Sequence, residues 1–446
     1  MMKKAVIIFT KAPIPGQTKT RMMPRFTPKQ CAKLHECFLK DMRRECGRVK
    51  ADIFVCYTPH EKEAKRQLQS LLGTEKKYFH QQGEGLGERM YQAFEKVFSC
   101  GYTSCVLMGT DIPEIRKEYI ERAFSVLEKK DVVFGRTGDG GYYLVGMKKP
   151  RKEVFGLDTY GHKNVFAETL KQLHEKSVRV GYTATLEDMD TPEDLKAYRN
   201  RMRKVGKHFS TKTENYVWEQ FRISVIIPTY NEEKTIRHLQ RQLEPLKKKC
   251  EIIFVDGGST DGTLQLIDSE YQVLHTKKGR AEQMNAGAKA SSGDVLFFLH
   301  CDSELPENPL EEIRRVMRKY RAGCFGIAFH SQNFFMFTCR VISNHRVKNR
   351  KVMFGDQGIF IDRDLFFEAG MFPNLPIMED YQFSLNLKER KIKLGMTRKR
   401  IYTSERRFPK GTISKLQLMW KMNRLRKMYR DGVNIEIISE LYKDVR

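Results

Sequence analysis

The chain has no apolar run near the roughly 18 residues that a membrane-spanning helix needs. No spanning helix is expected in its 446 residues. The opening Met1-Met-Lys-Lys-Ala-Val-Ile-Ile-Phe9 is basic and then apolar, but it stops at Thr10-Lys11 with no small-residue cleavage site. A first core strand is expected there, not an export signal. The ten cysteines are scattered, with no Cys-x-x-Cys pair and no Cys/His cluster. That argues against the common zinc modules and a disulfide framework, and points to reduced thiols in the cytosol. Acidic residues are scarce beside basic ones, 55 against 81, giving a net charge of +26. Such a surplus suits nucleic acid, an anionic membrane surface or phosphate-bearing ligands. The densest basic runs are Arg199-Asn-Arg-Met-Arg-Lys204, Arg346-Val-Lys-Asn-Arg-Lys351 and Arg398-Lys-Arg400. None has the interleaved aromatics of a single-strand-binding groove, which disfavours nucleic acid.

What is present is the same arrangement twice. Apolar runs ending in polar or acidic clusters recur in both halves. Examples are Ala5-Val-Ile-Ile-Phe-Thr-Lys11 and Cys105-Val-Leu-Met-Gly-Thr-Asp111, then Val225-Ile-Ile-Pro-Thr-Tyr-Asn-Glu232, Ile252-Ile-Phe-Val-Asp256 and Val295-Leu-Phe-Phe-Leu-His-Cys-Asp302. A parallel sheet delivers chemical groups to the carboxyl edge of its strands in this way. The length calls for two or three domains. In the first half strands are expected at residues 5–9, 53–57, 105–108, 131–134 and 142–145, with helices such as 28–46 and 86–98. In the second, strands are expected at 223–228, 251–256, 272–275 and 294–299, with helices at 232–248, 262–270 and 280–290. The fold class is α/β, mostly parallel, in tandem: domain 1–199, a basic linker 200–220, and domain 221–446. Residues 413–430 carry Met and Leu at helical spacing among many Lys and Arg. Packing against the core is expected for that stripe, with a membrane surface as the alternative. Phe334-Phe-Met-Phe337 is expected in the core.

The candidate chemistry lies at the strand ends. In the second half the carboxylates fall in the order Glu232, Asp256, Asp261, Asp302 and Glu379-Asp380. A nucleotide pocket, hard oxygen ligands for Mg²⁺ or Mn²⁺, and a carboxylate base are what nucleotide-sugar chemistry requires. In the first half, the loop Thr10-Lys-Ala-Pro-Ile-Pro-Gly16-Gln-Thr-Lys19-Thr-Arg21 can wrap a phosphate with backbone N–H groups and cations. Asp111 ends an apolar strand, which is costly unless the carboxylate binds something. Gly138-Asp-Gly-Gly141 needs unusual backbone angles. Asp188-Met-Asp190-Thr-Pro-Glu-Asp194 offers further carboxylates and opens a helix at Pro192. Plain structural roles compete with these readings. Asp256 and Asp261 also suit a turn and a helix cap, Asp302 a loop cap, and Glu379-Asp380 a helix N-terminus.

The second half resembles the family 2 glycosyltransferases of GT-A fold. The resemblance rests on Val225-Ile-Ile-Pro-Thr-Tyr-Asn-Glu232, Val255-Asp-Gly-Gly-Ser-Thr-Asp-Gly262, Gly279-Arg-Ala-Glu-Gln-Met-Asn-Ala-Gly287 and Met378-Glu-Asp380. It implies nucleotide contacts at Pro228, Tyr230, Glu232, Asp256 and Arg280, a metal contact at Asp302, and a catalytic base at Asp380 beside Glu379. The chain departs from the Asp-x-Asp metal motif by placing His300 at its first position. A closer resemblance is to the radical-SAM/selenodomain-associated transferase 2 proteins, also described as arsenosugar-biosynthesis glycosyltransferases. It rests on Leu299-His-Cys-Asp-Ser-Glu-Leu-Pro306, Phe354-Gly-Asp-Gln-Gly-Ile-Phe360, Pro376-Ile-Met-Glu-Asp380 and Ser404-Glu-Arg-Arg-Phe408. Asp356, Gln357, Arg406 and Arg407 become candidates for diphosphate or acceptor. Some relatives carry a carotenoid-acid glycosyltransferase label, so a lipid-like acceptor stays open. The Gln-x-x-Arg-Trp motif of processive synthases is absent, which favours single transfers.

The first half resembles the transferase 1 proteins of the same association and, more distantly, nucleotidyltransferases of the molybdopterin-guanylyl and 2-phospholactate type. The matching segments are Lys11-Ala-Pro-Ile-Pro-Gly16-Gln-Thr-Lys-Thr-Arg21, Gln82-Gly-Glu-Gly-Leu-Gly-Glu-Arg89, Gly109-Thr-Asp-Ile-Pro113, Gly138-Asp-Gly-Gly-Tyr-Tyr143 and Asp188-Met-Asp-Thr-Pro192. The resemblance implies nucleotide binding at Lys11, Gly16, Lys19 and Arg21, and metal at Asp111 with Asp190. The resulting expectation is a cytoplasmic bifunctional enzyme of two GT-A-like domains. It would take a nucleotide-sugar donor, a small or lipid-like acceptor and a divalent cation, with peripheral contact at the inner membrane face left open. The alternatives are a sugar nucleotidyltransferase, or a basic membrane or nucleic-acid docking protein with vestigial sites.

Overall fold

The protein is described from a computed structural model covering residues 3–205, 211–331, 334–403 and 412–443. Arg406 and Arg407, with the rest of their motif from Ser404 to Phe408, lie outside the described residues. The chain divides into two units, Met1–Glu219 and Gln220–Arg446.

The first unit is built on strands β1 (Lys4–Lys11), β2 (Asp52–Thr58), β3 (Lys77–His80), β4 (Ser104–Gly109), β5 (Val132–Arg136), β6 (Tyr142–Met147) and β7 (Val180–Tyr182). Their order in the sheet is β3-β2-β1-β4-β6-β5-β7. Neighbours run parallel except at β6, which is antiparallel to β4 and β5. The strands are apolar on both faces because helices cover both. Val6 and Ile8 join one core cluster and Ile7 the other, and all three are fully buried. Each such side chain contributes about 1.5–3 kcal/mol of burial. The helix Pro28–Cys46 starts where Thr27 accepts the Gln30 N–H and the Gln30 side chain accepts the Thr27 N–H. This reciprocal cap, with Pro28 in the first turn, fixes its entry.

The second unit repeats the plan with β8 (Ile223–Thr229), β9 (Glu251–Asp256), β10 (Gln272–His275), β11 (Val295–Phe298), β12 (Ser303–Glu304), β13 (Ala322–Ala328), β14 (Ile359–Asp362) and β15 (Leu394–Thr403). The order is β10-β9-β8-β11-β14-β13-β15-β12. Again the sixth main strand, β14, is antiparallel to both neighbours. Apart from the added edge strand β12, the two sheets share one topology. In both, a Gly-Asp-x-Gly turn leads into the antiparallel strand, at Gly138-Asp-Gly-Gly141 before β6 and at Gly355-Asp-Gln-Gly358 before β14.

Several expectations change. Residues 200–220, read as a linker, are helical over much of their described length. Pro192–Val205 and Lys212–Glu219 are helices, and Trp218 is fully buried. The cause is remote in sequence. The buried Asp41 carboxylate accepts the N–H groups of Lys212 (2.9 Å) and Thr213 (2.8 Å) and so caps the second of these helices. The basic run from Arg199 is also used internally. The Arg199 guanidinium is buried and donates to the Val217 carbonyl at 3.0 Å, while Arg201 pairs with Glu114 at 2.7 Å. The helix expected at 232–248 is confined to Ile236–Leu243, because Asn231 adopts a left-handed φ of 53° and Pro245 enters a 3-10 turn. The helix expected at 262–270 shrinks to Thr263–Leu266 because Ile267 is already extended. Phe334 and Phe337 are exposed, not core, while Met336 turns inward. All ten cysteines are free thiols, eight of them buried. No helix among the described residues is long and apolar enough to cross a membrane.

Candidate functional site

In the second unit the sequence candidates gather at the carboxyl edge of the sheet. Strand β8 delivers Pro228 and then Tyr230, whose ring lies 4.1 Å from the Lys278 ammonium. Strand β9 ends in Asp256, which is 1% exposed. Its carboxylate accepts Gly258 N–H at 2.8 Å, Ser259 N–H at 3.1 Å and the Ser259 hydroxyl at 2.5 Å. Asp256 therefore builds the turn, and the structural alternative for this residue holds alongside any ligand role. Gln283 ties the two strand ends together by donating to the carbonyls of Thr229 and Val255, each at 2.8 Å. Glu232 accepts the Thr235 hydroxyl at 2.5 Å and donates its N–H to Thr263 Oγ1 at 2.8 Å. Asp261 accepts the N–H of Thr263, two residues on, which is Asx-turn chemistry.

After β11 the chain passes through His300, Cys301 and Asp302. Cys301 is buried, with its thiol 3.6 Å from the Pro228 carbonyl, and the flanking His300 and Asp302 are half-buried. The Asp380 carboxylate accepts Gly355 N–H and Tyr381 N–H, both at 2.7 Å. A Cβ at Gly355 would meet the His300 imidazole at 2.8 Å and Asp380 Oδ2 at 3.5 Å. The absence of a side chain at Gly355 thus lets the residue in the first metal-motif position approach Asp380. Glu379 is buried and pairs with Arg280 at 3.1 Å. Burial raises the Glu379 carboxyl above its ordinary range, and the neighbouring Asp380 charge adds to this. Arg280 resists its own burial through the charges of Glu379 and Asp380, which hold it protonated. Arg280 is thus engaged by Glu379 in this structure. Asp356 and Gln357 lie in the turn Gly355–Gln357. Gln357 is fully buried, and its side-chain oxygen accepts Phe354 N–H, so it shapes the turn.

Sequence reasoning missed an arginine pair here. Arg346 and Arg426 lie over the Phe354 ring, at 4.1 and 4.9 Å from its centroid. Burial, with Arg426 close by, pulls Arg346 down to about 10. The only signals in the sequence were an aromatic before Gly355-Asp-Gln and basic residues in two helices. Nothing in the linear pattern joins them.

The first unit differs from expectation more sharply. Lys19 points inward, with its side chain 3% exposed. Its ammonium sits 2.5 Å from Asp111, 2.9 Å from Asp190 and 2.7 Å from the Met189 carbonyl. Its backbone is left-handed, φ 54°. Burial alone would lower the Lys19 pKa, but the two carboxylates raise it. Partial burial pushes the Asp111 carboxyl up, and Lys19 outweighs that and holds it low. The three residues expected to bind nucleotide and metal are therefore paired with one another. Lys11, Gly16 and Arg21 remain exposed on the loop. His35, not foreseen, is buried beside them. Its Nε2 lies 3.0 Å from the Lys11 carbonyl, and burial drops its pKa to about 4. Asp188 is pushed up to about 6 by burial and by Asp139, Asp190 and Asp194. Asp194 caps its own helix, accepting Asp190 N–H and Thr191 N–H. Gly140 has φ 91°, and a Cβ there would meet the Lys163 carbonyl oxygen at 1.9 Å, so the turn requires glycine.

Among the described residues no three His, Cys, Asp or Glu side chains converge as a metal cage. Asp111 and Asp190 do not fit a metal while Lys19 holds them both. Asp302 fits the part of a single protein carboxylate, since Mg²⁺ is commonly held by one or two carboxylates plus substrate phosphates and water.

Two open α/β sheets of one topology, with acidic residues at the same strand ends, define the GT-A-like class of nucleotide-diphospho-sugar transferase folds. Comparison with known proteins narrows this. Residues 224–372 match glycosyl transferase family 2, and residues 42–162 match a family described as uncharacterized proteins conserved in bacteria, DUF2064. A protein of known structure from Desulfovibrio desulfuricans G20, assigned to the nucleotide-diphospho-sugar transferases, is 32% identical; the match covers 49% of this chain and 94% of that one, with a TM-score of 0.45. By that identity and coverage the chain belongs with the nucleotide-diphospho-sugar transferases. A mannosyltransferase from Pyrobaculum calidifontis, solved with GDP-Man and Mn²⁺, is 17% identical, covering 56% of this chain and 77% of its own, with a TM-score of 0.35. Undecaprenyl-phosphate 4-deoxy-4-formamido-L-arabinose transferase of Pseudomonas fluorescens (strain Pf0-1) is 32% identical over 114 residues, which is 23% of this chain and 33% of that protein. The chain thus spans about a third of the length of the curated relatives it matches.

Proposed function

We propose that the second unit transfers a sugar from a nucleotide-diphosphate donor to a small or lipid-like acceptor, one sugar per cycle. The carrying observation is the cluster at the carboxyl edge of the sheet, with Asp380 held by Gly355 N–H beside His300 and Asp302 on the following loop. Pro228, Tyr230, Glu232 and Asp256 form the nucleotide side. Asp380 takes the proton of the acceptor hydroxyl. The acceptor oxygen bonds to the anomeric carbon as the bond from that carbon to the diphosphate oxygen breaks, and the nucleoside diphosphate leaves. Asp302 would hold a Mg²⁺ or Mn²⁺ ion, which when bound neutralises the diphosphate charge. Arg280 joins the nucleotide side, and Asp356, Gln357, Arg406 and Arg407 are assigned to the diphosphate or acceptor side. The undecaprenyl-phosphate in the relatives' names supports a lipid-like acceptor, and an arsenosugar or related acceptor is the rival. The first unit is assigned a second nucleotide-dependent transfer at the exposed Lys11, Gly16 and Arg21, beside the closed Lys19–Asp111–Asp190 cluster. The test is nucleotide release from a panel of nucleotide sugars with Mn²⁺ or Mg²⁺. Slow release lost in Asp302→Ala and Asp380→Asn but kept in Asp111→Ala supports the assignment. No release and no nucleotide binding from any donor sinks it.

A further inference from the structure

Two helices of the second unit present apolar rows to solvent. The helices Phe334–Arg350 and Thr412–Arg430 touch where the Cys339 thiol meets Met419 sulfur at 3.1 Å, and Met336 is buried in the same small cluster. Their other faces are apolar and turned to solvent. On the first helix Phe334 (81% exposed), Phe337, Val341 and Ile342 stand out at spacings of three, four and one. On the second, Ile413, Leu416 and Trp420 (69% exposed) follow the spacing of three and four. Single exposed apolar residues are ordinary, but rows of them on two touching helices mark a surface that meets something.

Charge indicates the partner. The first helix contains four Lys or Arg and the second six, and neither contains any Asp or Glu. Lys421 and Arg424 line a shallow depression together with Leu416 and Trp420. Arg340 lies 4.6 Å from the Phe337 ring centroid. Aromatic and aliphatic rows fringed by cations, without a single acid, are the composition of helices that lie in the headgroup layer of an anionic membrane. A second copy is disfavoured, since a two-fold contact would set this unbalanced positive surface against itself. We propose that the paired helices Phe334–Arg350 and Thr412–Arg430 form a docking surface for an anionic lipid bilayer. The apolar rows enter the headgroup boundary and the cations meet lipid phosphates. This deepens the reading of a lipid-like acceptor and rests on it, because the same helices carry Arg346 and Arg426, which sit over Phe354 next to the Gly355 turn.

The chain supplies its own probe. It has two tryptophans, Trp218 fully buried and Trp420 exposed. The full-length protein is mixed with phosphatidylcholine vesicles with and without phosphatidylglycerol, and both sedimentation and tryptophan emission are read. The expected result is a blue shift and binding at least about ten-fold stronger to the anionic vesicles, largely lost at high salt. Trp420→Phe should keep binding and lose the shift. Phe334→Ser with Trp420→Ser, and separately Lys421→Glu with Arg424→Glu, should each weaken binding about ten-fold or more. Trp218 emission in the Trp420 variants, and the melting profile of the charge-reversal variant, report that the fold is intact. Absence of both binding and shift at low salt overturns the proposal. So does a shift that grows with protein concentration in vesicle-free buffer alongside a doubling of mass, which would make the partner a second copy. Nucleotide release from the nucleotide-sugar donor with a water-soluble acceptor is measured in parallel without vesicles. Docking that fails while release persists condemns this inference alone, and the reverse condemns the transferase assignment.

Discussion

Replacing Lys19 with methionine tests what the first unit does with its two carboxylates. The substitution keeps an unbranched apolar stem and removes the ammonium that Asp111 and Asp190 share at 2.5 and 2.9 Å. Removing one partner of a buried ion pair costs about 3–5 kcal/mol. Here Asp111 is 46% exposed and Asp190 31%, so water recovers part of that loss. The expected destabilisation is about 2 kcal/mol, discounted for that screening. In a unit of this size 1 kcal/mol moves the midpoint by about 2–4 °C, so its thermal transition should fall by about 4–8 °C. The two carboxylates are then left as a pair of hard oxygen ligands. Mn²⁺ at 100 times its dissociation constant would return about 2.7 kcal/mol, enough to restore the loss. Calorimetry on wild type, Lys19→Met and Lys19→Met with Asp190→Asn, each with and without Mn²⁺, reads both effects. The reasoning is refuted if Lys19→Met melts like wild type, or if Mn²⁺ raises wild type and variant equally.

Two further outcomes follow from the same geometry. Asp380→Asn retains an oxygen that can accept Gly355 N–H, so donor affinity and melting temperature should hold while turnover falls by about 10²–10⁴-fold, read as nucleotide release. His35 is 2% exposed, and its pKa drops from 6.5 to about 4 on folding. Between those values the unfolded chain binds a proton that the folded chain does not. Stability is therefore full above pH 6.5 and lost as pH falls toward 4, by about 3 kcal/mol in all. His35→Phe should flatten that part of the stability–pH curve; an unchanged curve would remove His35 as its cause.

The sheets were legible because each strand is an apolar run closed by a polar cluster, a local signal. The runs at residues 5–9, 105–108, 223–228 and 251–256 all became strands within a residue or two at their ends. The parallel between Gly138-Asp-Gly-Gly141 and Gly355-Asp-Gln-Gly358 was also visible, and it marks the one strand in each unit antiparallel to both its neighbours. What stayed hidden depends on contacts remote in sequence. Nothing local shows that Asp41 will cap the Lys212–Glu219 helix, so residues 200–220 read as a basic linker. Lys19 read as a phosphate ligand because its motif is a loop of cations. Only the left-handed turn at Lys19 and the return of the chain at Asp111 and Asp190 convert it into an internal counterion. Phe334 and Phe337 read as core because apolar runs are usually buried, and the sequence carries no sign of which face of a helix the fold leaves uncovered.

The shared topology makes the difference between the two edges informative. Each unit places a carboxylate just after its fourth strand, Asp111 after β4 and Asp302 after β11, and a glycine turn before its antiparallel strand. In the first unit a lysine from the loop after β1 has already neutralised that carboxylate. A phosphate arriving there meets a cation committed to two acids, and must offer more than they do to draw it away. In the second unit the loop after β8 carries Lys234, and Lys278 lies against Tyr230 at the same edge. The nearby Arg280 is engaged by Glu379. Under the proposed transfer, a divalent cation at Asp302 would supply further positive charge for the diphosphate. One scaffold thus carries two electrostatic solutions. Dependence on added Mg²⁺ or Mn²⁺ should accordingly follow Asp302, while the first edge should gain such dependence only when Lys19 is removed.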